Sequence, residues 1–353
     1  MNHEKRMAEF KTGLEHPFLV TEREDLFYLL GFQGSTGFLL VFPNKTPVFF
    51  CDGRYVTQAK EEIELKVEVQ EFKDELAKDI KEAVFSNGYQ KLLVEDSLRV
   101  RFYERLRNQD LEAAPILSPS RQMRVIKEKE EIEKIKKAVR ISEEALRKVK
   151  PLFREGVKEK DVALELDYQM RLLGGEEVAF PTIVAGGRRS ALPHARPSSY
   201  SFKDNDWVIV DWGVRVDGYC ADLTRVITIG KVDSSFYPLF HIVKEAQQLA
   251  ETLIKEGIKA KEVDRAVRLF FKEKKVERYF THSLGHGVGI EIHEDPHLGP
   301  KSEVTLKKGM IVTVEPGIYF PDWGGIRLEN LVMVQEKGNK ILDSLPLMLG
   351  EEE

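Results

Sequence analysis

Five residues in the C-terminal half have the types and settings of a two-metal site: Asp211, Asp222, His286, Glu315 and Glu329. Asp211 ends the apolar run VIVD, Glu315 ends IVTVE, and a glycine turn follows each. Asp222 and Glu329 fall on the next expected strands, in ADLTRVI and IRLENLVMV. Carboxylates on strands with apolar neighbours should be buried, and a buried, unpaired carboxylate is costly. Four together would repel and titrate as a coupled group. Two divalent cations are the simplest remedy, because they balance four negative charges.

A single acid at a strand end is ordinarily a turn residue. Here the arrangement occurs twice. VIVDWGVRVDGYCADLTRVI can be laid over VTVEPGIYFPDWGGIRLENLVM, which matches Asp211 to Glu315 and Asp222 to Glu329. Upstream, REGVKEKDV at 154–162 resembles KEGIKAKEV at 255–263. A repeat of roughly a hundred residues is a duplicated half-domain and not a solenoid. Two half-domains that each supply two carboxylates predict a site on a pseudo-two-fold axis.

Between the two acid hairpins, THSLGHGVGIEIHEDPHLGP carries four of the eight histidines. His282 and His286 have the spacing of two ligands on one helix face. Gly285, Gly287 and Gly289 argue against a helix. His286 is therefore read as a single ligand from a strand, and His282 as structural. Oxygen-rich ligation with one imidazole suits hard or borderline ions. Such a pair can share a water, lower its pKa and present hydroxide near neutral pH, so the chemistry indicated is hydrolysis.

The elements that must position these residues fall into two parts. Residues 1–120 read as an α/β unit, with strands at 17–20, 37–42, 46–50, 66–72 and 91–96 and helical patterns near 54–64, 74–86 and 98–109. SPSRQ at 118–122 reads as a linker. Residues 123–353 form the second domain. It opens on the amphipathic stretch RVIKEKEEIEKIKKAVRISEEALRKVKPLF, whose charges read as a solvated face. A helix at 158–173, strands flanking 182–230, a helix pair over about 235–275 and strands through 280–336 follow. The terminal EEE is expected to fray.

Length and composition set the outer bounds. A chain of 353 residues suits two domains, and 42% hydrophobic with 32% charged residues is ordinary for a globular protein with a sizeable core. A net charge of −5 offers no basic excess for phosphates, which argues against nucleic acid. Cys51 and Cys220 are the only cysteines and read as buried thiols. The start, MNHEKRMAEF, lacks an apolar signal core, and runs such as GFLLVF are too short to span a bilayer. No membrane role, a cytoplasmic location and a homodimer are expected.

Taken together, PHARPS, VIVDWG, ADLTR, HSLGHGVG, VTVEPGIY and IRLEN resemble the M24 metallopeptidases over about residues 123–340. LLGFQGSTGFLLVF and CDGRYVTQA resemble the creatinase-type N-terminal domain. The resemblance implies a creatinase-like α/β domain followed by an α+β pita-bread catalytic domain with an internal pseudo-two-fold repeat. It implies that Asp222 and Glu329 bridge two metals, that Asp211 ligates one, and that His286 and Glu315 ligate the other. Manganese or cobalt is the implied metal, with zinc as a further option. The resemblance puts His194 on a substrate-holding histidine, His293 on one that steadies the transition state, and Arg327 on an arginine beside the bridging glutamate. Glu315 would act as general base and acid. Phe180 and Ile292 match pocket positions.

The implied activity is hydrolysis of Xaa-Pro bonds at the N-terminus of peptides with proline second. The resemblance covers both Xaa-Pro aminopeptidases and Xaa-Pro dipeptidases. In the dipeptidases an arginine usually follows the proline of the His-Glu segment and holds the free carboxylate. Here His297 stands there, and imidazole is a weaker carboxylate partner without the bidentate fork. That points to an aminopeptidase that accepts longer peptides, with the dipeptidase as alternative. A methionine aminopeptidase, a metal-free creatine amidinohydrolase and a non-catalytic binding protein of this fold are the remaining rivals. All five ligands are present, which disfavours the last two.

Overall fold

The computed structural model describes residues 2–73 and 75–350. Asp74, at the start of the helix expected over 74–86, and Glu351–Glu353, expected to fray, lie outside the described residues. The chain divides into two compact units, one ending at Arg124 and one beginning at Val125.

The first unit is built on a six-stranded mixed sheet. Its order is Glu68–Glu71, Val48–Cys51, Phe38–Val41, Phe18–Val20, Lys91–Glu95 and Glu112–Ile116. The two inner runs FLV and FLLV pair antiparallel and are almost entirely buried, as apolar strands covered on both faces must be. Leu19, Leu40, Phe50, Leu92 and Val94 meet Ile80 and Val84 of the helix Leu76–Ser86 in one core.

The segment expected to be a linker instead holds the helix Pro119–Arg124. The cause is a distant acid. Asp25, fully buried, pairs with Arg124 at 2.7 Å and accepts a hydrogen bond from Ser118 at 2.8 Å and another from Ser120. Serine and proline signalled a turn locally, but the buried carboxylate recruits the segment as its cap. Removing one partner of such a pair typically costs about 3–5 kcal/mol.

The second unit repeats one pattern. A helix pair, Lys129–Val149 with Glu159–Leu172, precedes the strands Ile183–Gly186, Trp207–Trp212 and Leu223–Thr228. A second pair, Phe236–Leu253 with Ala260–Glu273, precedes Gly285–Gly287, Ile311–Val314 and Asn330–Gln335. In each half the strand leading to the first acid runs antiparallel to the strand following the second acid. A small hairpin joins them: Val214–Val216 with Tyr219–Cys220, and Gly317–Phe320 with Gly324–Arg327. The match extends to single residues. Lys158 and Lys259 each make an isolated antiparallel bridge, and Gly156 and Gly257 both have left-handed φ, +84° and +91°.

The helix Lys129–Val149 is amphipathic as expected, with Ile135, Ala138, Val139 and Leu146 inward. Its charges are not all solvated. Glu143 is buried and accepts hydrogen bonds from the Ser344 hydroxyl at 2.8 Å and the Leu345 N–H at 2.9 Å. Glu131 is buried and accepts from the Tyr219 hydroxyl at 2.8 Å. These acids hold later parts of the chain to the helix. Cys51 and Cys220 are both buried thiols, and no disulfide joins them. Among the described residues no helix is long and apolar enough to cross a membrane.

Candidate metal centre

Asp211 lies in the strand Trp207–Trp212, opposite Thr224. The other three acids sit just off strand ends: Asp222 before Leu223, Glu315 after Val314, Glu329 before Asn330. The ladders break there because the backbone turns to the other half. The Glu329 N–H reaches the Thr224 carbonyl at 3.3 Å, and the Arg225 guanidinium donates to the Glu329 carbonyl. Close approach dictates the glycines. A Cβ on Gly213 would lie 1.8 Å from the Ala221 carbonyl oxygen, and one on Gly285 would lie 2.1 Å from that of Thr313. His286 is in a strand, as the glycines required.

Ligand atoms of Asp211, Asp222 and Glu329 lie within 4.8 Å of one another. His286 Nε2 is 3.5 Å from Asp222 Oδ2 and 3.4 Å from Glu315 Oε1. The imidazole is oriented from its other side: Nδ1 lies 3.0 Å from the Gly287 carbonyl, which can only accept, so the proton sits on Nδ1 and the Nε2 lone pair faces the acids. Burial, and then the neighbouring His293, lower the His286 pKa to about 3, which keeps the ring neutral and able to ligate.

The acids show the opposite response. Burial, then Glu329, Asp211 and Glu315, raise Asp222 well above the carboxylate range. Burial, then Glu315 and Asp211, raise Glu329 likewise. Burial pushes Glu315 up to about 8, with Arg327 opposing and Asp211 adding to the shift. Asp211 Oδ1 is buried with no hydrogen-bond partner. Repelling carboxylates, an orphaned buried oxygen and an inward imidazole lone pair are the donor set a pair of divalent cations requires.

All the other expected residues line the same cavity of about 430 Å³: His194, His293, Arg327, Phe180, Ile292 and His297. The rings of His293 and His286 lie 4.3 Å apart. Burial, then His297, lower the His293 pKa. Arg327 is fully engaged, with Asp211 at 2.6 Å, Tyr319 at 2.9 Å, the Pro193 carbonyl at 3.1 Å and Thr224 at 3.2 Å. His282 lies between the Ser283 carbonyl at 2.8 Å and the Tyr319 hydroxyl at 3.0 Å.

Two positioning residues escaped the sequence reading. Thr224 donates to Glu329 at 2.7 Å. Thr313 donates to Glu315 at 3.1 Å and accepts the His286 N–H at 3.0 Å. The available signal was a threonine two residues from an acid, which strand periodicity places on the same face.

Residues 133–336 match the metallopeptidase family M24, and residues 16–126 match the creatinase/prolidase N-terminal domain. An Xaa-Pro dipeptidase of Pyrococcus horikoshii is 35% identical over 96% of this chain and 95% of its own. The solved Xaa-Pro dipeptidase from Bacillus anthracis superposes with a TM-score of 0.95 at 34% identity, covering 99% of this chain and 100% of that one. An X-Pro aminopeptidase from Thermotoga maritima gives 0.91 at 35% identity, with 99% of each chain covered.

Proposed function

The chain belongs to metallopeptidase family M24, with a creatinase-type N-terminal domain before a pita-bread catalytic domain, and we propose that it is a dinuclear-metal Xaa-Pro dipeptidase. The observation that carries this is the convergence of Asp211, Asp222 and Glu329 in a cavity that also holds His286, Glu315 and His293. The full-length likeness to proteins named Xaa-Pro dipeptidase supports the substrate class. The second reading, an Xaa-Pro aminopeptidase acting on longer peptides, keeps the support of His297 and of the Thermotoga likeness.

On this reading Asp211, Asp222, His286, Glu315 and Glu329 hold two divalent ions, and the oxygen-rich set favours manganese or cobalt. When bound, the ions supply Lewis acidity toward the scissile carbonyl and acidify water. The chain's own residues do the rest. Glu315, at the edge of the acid cluster, takes a proton on a carboxylate oxygen and returns it to the leaving proline nitrogen. His293 sits against the ligand histidine and donates toward the developing oxyanion. Phe180 and Ile292 form apolar wall for a proline ring, which brings no amide hydrogen that needs a partner. Arg327 holds Asp211 in place. His194 stands in the same wall to orient the substrate.

The test is a substrate panel on metal-reconstituted protein, comparing Xaa-Pro, Xaa-Pro-Yaa and Met-Ala-Ser by kcat/KM. The dipeptide should be the best substrate. A better tripeptide with the same first residue would replace this reading with the aminopeptidase. Cleavage of Met-Ala-Ser alone would point to a methionine aminopeptidase.

A further inference from the structure

Dipeptide selectivity needs a cation to grip the carboxylate that follows the proline, and position 297 supplies only an imidazole. Two arginines line the cavity, Arg196 and Arg327. Arg327 cannot serve, because each of its three guanidinium nitrogens already donates to the protein. Its release would leave Asp211 without its counter-charge. His282 is held between the Ser283 carbonyl and Tyr319.

Arg196 is placed differently. Its backbone is pinned: the Arg196 carbonyl accepts from Arg189 Nη2 at 2.8 Å, and Arg189 is paired with the fully buried Glu159 at 3.0 Å. The same Glu159 carboxylate accepts the Ser198 N–H at 2.9 Å and the Ser198 hydroxyl at 2.7 Å. One buried acid thus fixes the chain at the Arg196 carbonyl and again two residues beyond it. The Arg196 guanidinium, by contrast, pairs with no carboxylate among the described residues, and it is exposed to the solvent that fills the cavity. A rigid backbone carrying a free planar cation into a substrate cavity is a preorganised carboxylate receptor.

We propose that Arg196 binds the free carboxylate of the substrate's proline and thereby sets the preference for dipeptides over longer or C-terminally blocked peptides. The inference rests on the dipeptidase reading above. It assigns the carboxylate subsite to the Leu192–Pro197 segment, and not to the position occupied by His297.

The experiment uses the full chain with saturating manganese and compares an Xaa-Pro dipeptide with its C-terminal amide, in wild type, Arg196→Gln and Arg196→Lys. Wild type should prefer the free acid. Arg196→Gln should raise KM for the acid by roughly tenfold or more, the loss expected for a charge-assisted contact, and leave the amide nearly unchanged. Arg196→Lys should recover part of the preference. An acid-to-amide ratio of kcat/KM that stays the same in Arg196→Gln overturns the inference, including when both substrates fall together as a merely structural role would produce. Wild type that cleaves longer peptides but no dipeptide sinks the dipeptidase reading and the inference with it. Dipeptide cleavage with an unaltered ratio sinks the inference alone.

Discussion

At the scale of single residues the site separates two adjacent histidines by what faces each ring. His286 turns its Nε2 lone pair to Asp222 and Glu315 and anchors Nδ1 on a carbonyl. His293 lines the cavity beside it and is exposed where His286 is buried. Replacing His286 by alanine should therefore remove metal along with activity. Replacing His293 should keep both ions and lower kcat by roughly two to three orders of magnitude, as for a lost oxyanion donor. Metal analysis alongside steady-state kinetics separates the two. Metal loss in the His293 variant, or two ions retained without His286, would mean that ligand and catalyst have been exchanged.

At the scale of elements, the carboxylates are delivered by two similar hairpins whose strands come too close for side chains at particular points. Gly213 is two residues beyond Asp211, and its missing Cβ leaves room for the Ala221 carbonyl next to Asp222. Gly156 is the contrasting case: left-handed, with nothing within 4 Å of where a Cβ would sit. Gly156→Ala should cost only the left-handed strain, about 1–2 kcal/mol, with metal affinity unchanged. Gly213→Ala should push the two ligand-bearing segments apart and weaken metal binding as well as stability. Denaturant unfolding together with metal titration distinguishes them. Wild-type metal affinity in Gly213→Ala would show that the hairpin does not set the ligand geometry.

At the scale of the whole molecule, buried acids are the recurring device. Asp25 folds the Pro119–Arg124 helix onto the first unit, Glu143 ties Ser344 and Leu345 to the helix Lys129–Val149, and Glu159 pins the Arg196 segment. Each of these has partners within the protein. The metal cluster differs in that Asp211, Asp222 and Glu329 gather around one another with one paired cation, Arg327, against them. Ions bound only by the folded state stabilise it by mass action, by about 2.7 kcal/mol at a hundredfold excess over Kd. Chelation should lower Tm and abolish hydrolysis together, and manganese or cobalt should restore both. Full activity with metal content measured as nil would end the dinuclear reading.

What was legible in the sequence was whatever is encoded by period and repetition. The strand–acid–glycine pattern appeared twice, and the glycines around His286 excluded a helix. The apolar runs located five of the six sheet strands of the first unit, while Glu112–Ile116, with the weakly apolar run EAAPI, went unread; the five proposed ligand positions were also read from these features. The resemblance to the family added the roles. What only the tertiary structure decided involves partners far apart in the chain. The segment 118–122 became a helix because of an aspartate 93 residues earlier. Glu143, one charge among many on an amphipathic helix, is buried because a backbone N–H 202 residues later needs it. Arg327 is a fixed strut and Arg196 a free cation, although nothing in their neighbouring residues tells them apart. Local patterns report which face of an element is buried. Which polar groups find partners inside depends on where the other elements come to rest, and the acid cluster, which has more carboxylates than cations, and the Arg196 guanidinium are left to meet ions and substrate.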